Sequence, residues 1–428
     1  MDKMSLKEIV FALVESIDLV NYLLKNHHRR VAIIAYELGK MMSLDDESLQ
    51  RIVLAAAFHD IGALYVKERD DLIRLDIENP HPHAIRGALL LKEFNYFEDV
   101  SDIVLHHHRY WDYGRGSIFM GQEVPIESFI IHLADRIEIL YDMTQNYFMQ
   151  IGNITKEILE REGKIFSPEC VSVFVKLSKI ESFWLDLETI SFNQLLHEVF
   201  EDKEDIEVDL EVIEHIARLF SSIVDTRSNY TASHSKAVGA VAYELCQLCK
   251  MDEVICKKLR IAGLLHDLGK IAIPNEIIEK ESKLTDEEFQ VMKSHAYYTN
   301  QILKQLVGLD DICKWASMHH EKRDGLGYPF HIDNDEFTIE IDILALADVF
   351  TALSENRPYR DGMSNEKIFE LISEEFKARI KPEILKVMTD NIDLFNNIRE
   401  ITQLKAYSLY NQNLKKISHL TDQLNSIH

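Results

Sequence analysis

An all-α protein, made of two tandem helical domains related by internal duplication and joined by a helical connector, is what this sequence predicts. Three observations predict it. Helix breakers are scarce, with 15 Gly and 8 Pro in 428 residues, about half the usual share or less. Apolar residues recur at spacings of three and four, as one helix face requires. Histidine-bearing stretches recur at a separation near 210 residues, which means two whole domains and not a short-period solenoid. The length allows two to three domains, each able to bury its own core.

Taken in chain order, the first copy opens with HHRRVAIIAYELGKMMSL from His27, followed by the His59-Asp60 pair inside AAAFHDIGALY. PHAIRGALLL at His83, HHHRYWDYG with His107 and His108, and IHLADRIEIL with Asp135 complete it. Residues 151–208 contain none of these ligand-type histidines and read as connector helices ending in an acidic stretch, EDKEDIEVD. The second copy repeats the series: HSKAVGAVAYELCQLCKM from His234, AGLLHDLGKIAI with His266 and Asp267, SHAYYTNQIL with His295, MHHEKRDG with His319 and His320, and LALADVFTAL with Asp348. The offsets between partners are 207, 207, 212, 212 and 213 residues, a register that drifts too little for chance. Within the second copy, Val238, Val241, Ala242, Leu245 and Leu248 mark one helix face. Thr285 opens TDEEF, a capping-box pattern, and Gly325, Gly327 and Pro329 mark an irregular loop. The domains are expected at 1–150, 151–208, 209–395 and 396–428, the last a C-terminal helix.

With 47 Lys+Arg against 72 Asp+Glu the formal charge is −25, which argues against bulk nucleic-acid binding. No apolar run could span a bilayer, and the first residues lack the pattern of a signal peptide. Five cysteines make no disulfide framework, and Cys246 and Cys249 read as small apolar residues of a helix. A cytoplasmic protein of a reducing compartment is expected, with no membrane partner.

His234, His266, Asp267, His295, His319, His320 and Asp348 need a chemical reason. Leu264, Leu265, Leu268, Leu344, Leu346 and Ala347 surround them with apolar neighbours, where an unpaired charge is costly and a bound cation would compensate. Seven ligands exceed one four-coordinate zinc site and suit two octahedral divalent ions sharing a carboxylate. The imidazole and carboxylate mixture suits iron, manganese or zinc.

The His234, His266-Asp267 and Asp348 set resembles the HD superfamily of metal-dependent phosphohydrolases. HHEKRDGLGYP, HDLGKIAIP, KLTDEEFQVMKSH and NRPYR resemble its HD-GYP subfamily, over about residues 210–390. The resemblance implies an all-α fold and hydrolysis of a cyclic dinucleotide, cyclic di-GMP or 3′,3′-cGAMP, to a linear dinucleotide by a metal-activated water. It places His234, His266, Asp267 and Asp348 on one metal and His295, His319 and His320 on a second, with Asp267 bridging. It puts Lys270 on the scissile phosphate, Arg357 on the other phosphate with Arg360 assisting, and Gly325 and Tyr328 beside the substrate. Lys270 is read on the same helix face as His266, four residues on. Lys258, Arg260, Lys322 and Arg323 add local positive charge for a dianionic substrate, Lys322 and Arg323 reading equally well as solvated surface.

The sequence departs from the subfamily at Tyr230, where some members place a third-metal glutamate, and at Thr351, where the family often has Asp. The first copy, a degenerate HD-type domain on this reading, keeps His27, His59, Asp60, His83, His107, His108 and Asp135 as a second ligand set. Ala63 and Thr144 replace the phosphate-binding Lys270 and Arg357, and YWDYGRGSIF replaces the GYP loop, Arg115 being a remaining anion contact. A regulatory or structural metal domain is the preferred reading; a second hydrolase and a metal-free bundle stay open. For the whole chain the alternatives are a non-catalytic cyclic-dinucleotide receptor and an HD phosphohydrolase for other nucleotides. Oligomeric state is open, a homodimer included.

Overall fold

A computed structural model of the chain describes residues 3–4, 6–18, 26–63, 81–142, 144–201, 206–207, 209–225, 233–280, 282–306, 308–332, 336–356, 361–376 and 380–425. It divides into two compact units, residues 13–204 with 413–428, and residues 205–412 with 1–12. Two of the three divisions fall inside helices, α1 (Leu6–Asp18) and α19 (Ile392–Asn425).

The unit of the first copy is built on α2 (His27–Met41), α3 (Asp46–Phe58), α4 (His81–Lys92), α5 (Glu98–Leu105) and α6 (Ile126–Leu140). Helix α2 packs on α3 and α6, and α4 on α5. Val31, Ile34 and Leu38 of α2 meet a core that includes Phe58 and Phe129, all fully or nearly fully buried. Asp45 starts α3 by accepting the Ser48 N–H at 2.8 Å, satisfying a donor that the helix itself leaves free. The connector forms α7 (Ile151–Leu159), α8 (Pro168–Leu177), α9 (Glu181–Thr189) and α10 (Phe192–Val199). Helices α8 and α9 pack on α2 in this unit. Trp184 is buried there, its indole N–H donating to the Ser178 carbonyl at 3.0 Å. Arg29 of α2 donates to the carbonyls of Leu187 and Ile190, tying the first-copy helix to α9.

The second unit repeats the plan with α11 (Leu210–Asp225), α12 (His234–Leu248), α13 (Glu253–Leu265), α14 (Asp286–Leu303), α15 (Asp310–Met318) and α16 (Ile339–Ser354). Helix α12 packs on α13 and α16, the counterpart of α2 on α3 and α6. A single helical turn, Asn275–Ile278, precedes α14. The expected capping box is present: Thr285 Oγ1 accepts the Glu288 N–H and Glu288 accepts the Thr285 N–H. After α16 come α17 (Asn365–Phe376), α18 (Pro382–Asp390) and α19.

Strand is confined, among the described residues, to two-residue pairs. β2 (Ile118–Phe119) pairs antiparallel with β3 (Gln122–Glu123), and β1 (Lys3–Met4) with β4 (Ile206–Glu207). The cysteine expectation is corrected. Cys246 of α12 is disulfide-bonded to Cys256 of α13, with Cα atoms 5.4 Å apart, while Cys249 is a free thiol. The two helices form a hairpin, so residues ten apart in sequence face each other across it, which helix periodicity within α12 alone does not reveal.

Candidate metal centres

Each ligand-type side chain of the second copy sits at a helix end or on an inward face. His234 is the first residue of α12, His266 caps the C-terminus of α13, and His319 caps that of α15, with His320 next. His295 lies inside α14 and Asp348 inside α16. The chain breaks from α-helix at His266 because a 3₁₀ turn, Leu268–Ala272, follows Asp267. Lys270 therefore lies in that turn and not on the α13 face predicted for it. Its ammonium reaches back to Asp267 Oδ2 at 2.6 Å.

These residues form three overlapping groups whose ligand atoms lie within 4.8 Å of one another: His234, His266 and Asp348; His266, Asp267 and His319; His295, His319 and His320. Asp267 turns Oδ2 towards His266 Nε2 at 3.2 Å and Oδ1 towards His295 Nε2 at 3.6 Å, so its two oxygens address the two ends of the cluster. Asp348 Oδ1 lies 3.2 Å from His234 Nε2 and 3.8 Å from His266 Nε2.

The imidazoles are oriented for a cation. His266, His295 and His319 each direct Nδ1 to the carbonyl three residues earlier, Gly263, Met292 and Ala316, at 2.7 Å. A carbonyl accepts only, so Nδ1 carries a proton, and each ring when neutral presents Nε2 as a lone pair. All three Nε2 atoms are buried and without a hydrogen-bond partner among the described residues. Three orphaned buried lone pairs around an ionised carboxylate fit a divalent metal ion. The electrostatics agree. Burial lowers His295 to about 4 and His319 to about 3, so both stay neutral ligands. Asp267 is held well below the carboxylate range: burial opposes its charge, but His266 and Lys270 more than offset that. His234 rises to about 10 against the pull of burial, because Glu355 and Asp348 face it.

The first copy repeats the arrangement. His59 and His107 direct Nδ1 to the carbonyls of Ala56 and Val104, at 2.8 and 2.6 Å. Asp60 faces His59 Nε2 with Oδ2 at 3.4 Å and His83 Nε2 with Oδ1 at 3.2 Å. His27, His59 and Asp135 form one group, and Asp60, His83, His107 and His108 the other. All seven are buried, whereas in the second copy His320 and Asp348 are half-buried. Asp135 is further held by Arg136, itself buried, at 2.5 Å. Ala63 is buried where the second copy has Lys270. Thr144 bonds to Asp142 on the surface, and Arg115 is exposed and paired with Asp112 at 2.7 Å.

Around the second-copy centre, the Tyr328 ring lies tilted against the His320 ring with centroids 4.7 Å apart, and the Tyr328 backbone N–H donates to the His320 carbonyl. Gly325 has φ 70°, a left-handed conformation that suits glycine. Buried Glu321 closes this loop by accepting the N–H groups of Phe330 and His331. Arg323 pairs with buried Asp342 at 2.6 Å, Lys258 with Asp311 at 2.6 Å, and Arg260 stacks on Tyr243. Those three cations are thus engaged within the protein. Arg357, Arg360 and Tyr230 lie outside the described residues.

Two functional groups escaped the sequence reading. Glu355 Oε2 meets His234 Nδ1 at 2.9 Å, and Glu138 meets His27 Nδ1 at 2.5 Å. Each carboxylate fixes the ring of the first histidine from behind. Glu138 follows Asp135 by three residues on the same face of α6, whereas Glu355 follows Asp348 by seven and is the extended residue that ends α16. The spacing to the aspartate was the available signal, blurred because the two copies supply the carboxylate from different positions.

An all-α pair of units, each with a buried His/Asp cluster at equivalent positions, defines a tandem protein of the metal-dependent hydrolase type. Family models for the HD domain match residues 24–140 and 218–384. The chain is 31% identical over 320 residues to "3′3′-cGAMP-specific phosphodiesterase 3" of Vibrio cholerae, covering 74% of this chain and 68% of the relative. It is 28% identical over 406 residues to "3′3′-cGAMP-specific phosphodiesterase 1" of the same organism, covering 90% and 92%. The crystal structure of a cyclic GMP-AMP specific phosphodiesterase of V. cholerae superposes with a TM-score of 0.62 at 23% identity, covering 92% of this chain and 99% of that one; the likeness is one of fold. The chain belongs to the HD domain family, which both of its copies match, the second being of HD-GYP type. An HD domain implies dependence on divalent metal, and the His/Asp groups offer the ligands for it. Among the described residues, no helix is long and apolar enough to cross a membrane.

Proposed function

We propose that this protein is a metal-dependent phosphodiesterase that hydrolyses a cyclic dinucleotide to a linear dinucleotide, with the chemistry in residues 209–395. The observation that carries it is the set of orphaned Nε2 atoms of His266, His295 and His319 around Asp267, with Lys270 alongside. The relatives aligned along both copies are named for 3′3′-cGAMP, which supports 3′,3′-cGAMP over cyclic di-GMP as the preferred substrate. His234, His266, Asp267 and Asp348 would hold one ion and His295, His319 and His320 a second, Asp267 being shared.

Divalent metal bound there supplies Lewis acidity and a water deprotonated near neutral pH. The protein does the rest. Nδ1 bonds to backbone carbonyls hold the imidazoles in the liganding tautomer. Lys270, at the half-exposed edge of the cluster, puts an ammonium where phosphoryl oxygens gather charge. Tyr328 walls the site beside His320. Arg357 and Arg360 are proposed as further phosphate contacts. The first copy holds metal in a closed site and does not turn over the nucleotide: its ligands are all buried, Arg136 ties down Asp135, and Ala63 stands in the position of Lys270. Structural metal sites are closed in this way, while catalytic ones keep an open position.

The test is hydrolysis of 3′,3′-cGAMP and cyclic di-GMP side by side by the full chain loaded with Mn²⁺ or Fe²⁺, with bound metal counted. Asp267→Ala is expected to lose turnover and second-copy metal. Asp60→Ala is expected to keep turnover and lose metal from the first copy. No turnover of either nucleotide by protein with metal bound would overturn the enzyme reading and leave a nucleotide receptor. Turnover lost only in Asp60→Ala would move the chemistry to the first copy.

A further inference from the structure

The carboxylate behind His234 is itself held from outside the region that matches the HD family. Glu355 is buried, and its Oε1 accepts a hydrogen bond from the Gln403 side-chain amide, on α19. Gln403 Oε1 in turn accepts from Arg399 Nη1 at 2.6 Å, and both residues are buried. A guanidinium only donates, so the amide oxygen of Gln403 faces Arg399 and its NH₂ is committed to Glu355. The family match ends at residue 384 and α19 begins at Ile392. In the first copy the same task falls to a residue inside the match: Glu138 is bonded by Arg30, one turn after His27. The second copy has buried Thr351 three residues after Asp348, where the first copy has Glu138. Its carboxylate comes from one turn further on, within reach of α19.

We propose that Gln403 is a positioning residue of the second-copy centre, and that α19 is a built part of that centre: Gln403 fixes Glu355, which fixes the ring of His234 as a ligand. Arg399 sets the direction in which the Gln403 amide points. Partners of this kind behind a ligating histidine are worth about 10–100-fold in metal affinity. The inference rests on the metal centre proposed above.

The experiment measures Mn²⁺ retained by the full chain against a graded chelator series, in the Asp60→Ala background so that only the second copy is read. Gln403→Met keeps the side-chain volume and removes the donor. It is expected to weaken Mn²⁺ retention by about 10–100-fold, with Gln403→Ala equal to it or weaker still. Thermal unfolding of the metal-free proteins, compared alongside, is expected to show Gln403→Met within a few degrees of its parent, so that the loss is one of ligand positioning. Leu404→Ala, at a residue 69% exposed on the same helix, is the control expected to retain metal as its parent does. Gln403→Met retaining Mn²⁺ like its parent would overturn the role of Gln403 and leave the centre intact. A parent that retains no Mn²⁺ would overturn the centre itself.

Discussion

The contact between Lys270 and Asp267 sets the charge at the open side of the second-copy cluster. Asp267 is buried and ionised, and one of its oxygens is shared between His266 and Lys270 at 3.2 and 2.6 Å. With the ammonium there, a phosphoryl group arriving beside the carboxylate meets a cation in place of a bare negative charge. Lys270→Ala is therefore expected to lower kcat by about 10²–10³-fold while bound metal stays at the wild-type level. Turnover assayed at saturating substrate with parallel metal analysis checks this, and an unchanged kcat would remove Lys270 from the machinery. The residues that gather into the two clusters were legible from the sequence because they repeat as residue types at matching offsets. Glu355, Glu138 and Gln403 were not. They act through another side chain, and a glutamate or glutamine on a long helix carries no chemical signature until its neighbours are placed. Lys270 comes to the cluster by a reach backwards from a 3₁₀ turn, and not along the helix face read for it.

Among the elements, the turn after the His-Asp pair is the tightest joint. A Cβ on Gly269 would lie 1.9 Å from the His295 carbonyl oxygen and 2.5 Å from the Thr299 nitrogen, and one on Gly62 would lie 2.1 Å from the His83 carbonyl oxygen. In both copies, bare backbone lets the metal-binding turn press on the helix that carries the next histidine. Thr299 secures the joint in the second copy, accepting the Gly269 N–H at 2.8 Å and donating to the His266 carbonyl. Gly269→Ala must push α14 away, since backbone cannot yield as a flexible side chain does. It is expected to destabilise the protein by about 1–3 kcal/mol and to loosen metal held by His295. Denaturant unfolding with metal analysis tests both, and wild-type stability would contradict the close approach. Periodicity and caps such as Thr285 made the long helices legible. The 3₁₀ turn and the two-residue strands were not, because so few residues carry no period.

At the scale of the whole molecule, the duplication was plain in the sequence, and so was an all-α fold, since breaker scarcity and matched histidine offsets are properties of the entire chain. How tightly each copy encloses its cluster was not, because closure depends on partners such as Arg136 that lie beside a ligand without resembling one. The two clusters give the metal-free protein a specific dependence on pH. In the unfolded chain histidines titrate near 6.5. Burial holds His59 and His319 at about 3 and His295 at about 4 in the fold. Below pH 6.5 the unfolded chain therefore binds more protons at these sites, and stability falls as pH falls. His27 and His234 behave oppositely. Although burial alone would lower them, Glu138 raises His27 to about 9 and Glu355 raises His234 to about 10. Their stabilisation is fully present below pH 6.5 and is lost as pH rises towards 9–10. The two trends meet near pH 6.5. Thermal unfolding of chelator-treated protein from pH 5 to 8.5 is expected to give its highest midpoint there and lower values at both ends. A midpoint climbing steadily to pH 8.5 would show that the carboxylates behind His27 and His234 do not hold those rings charged.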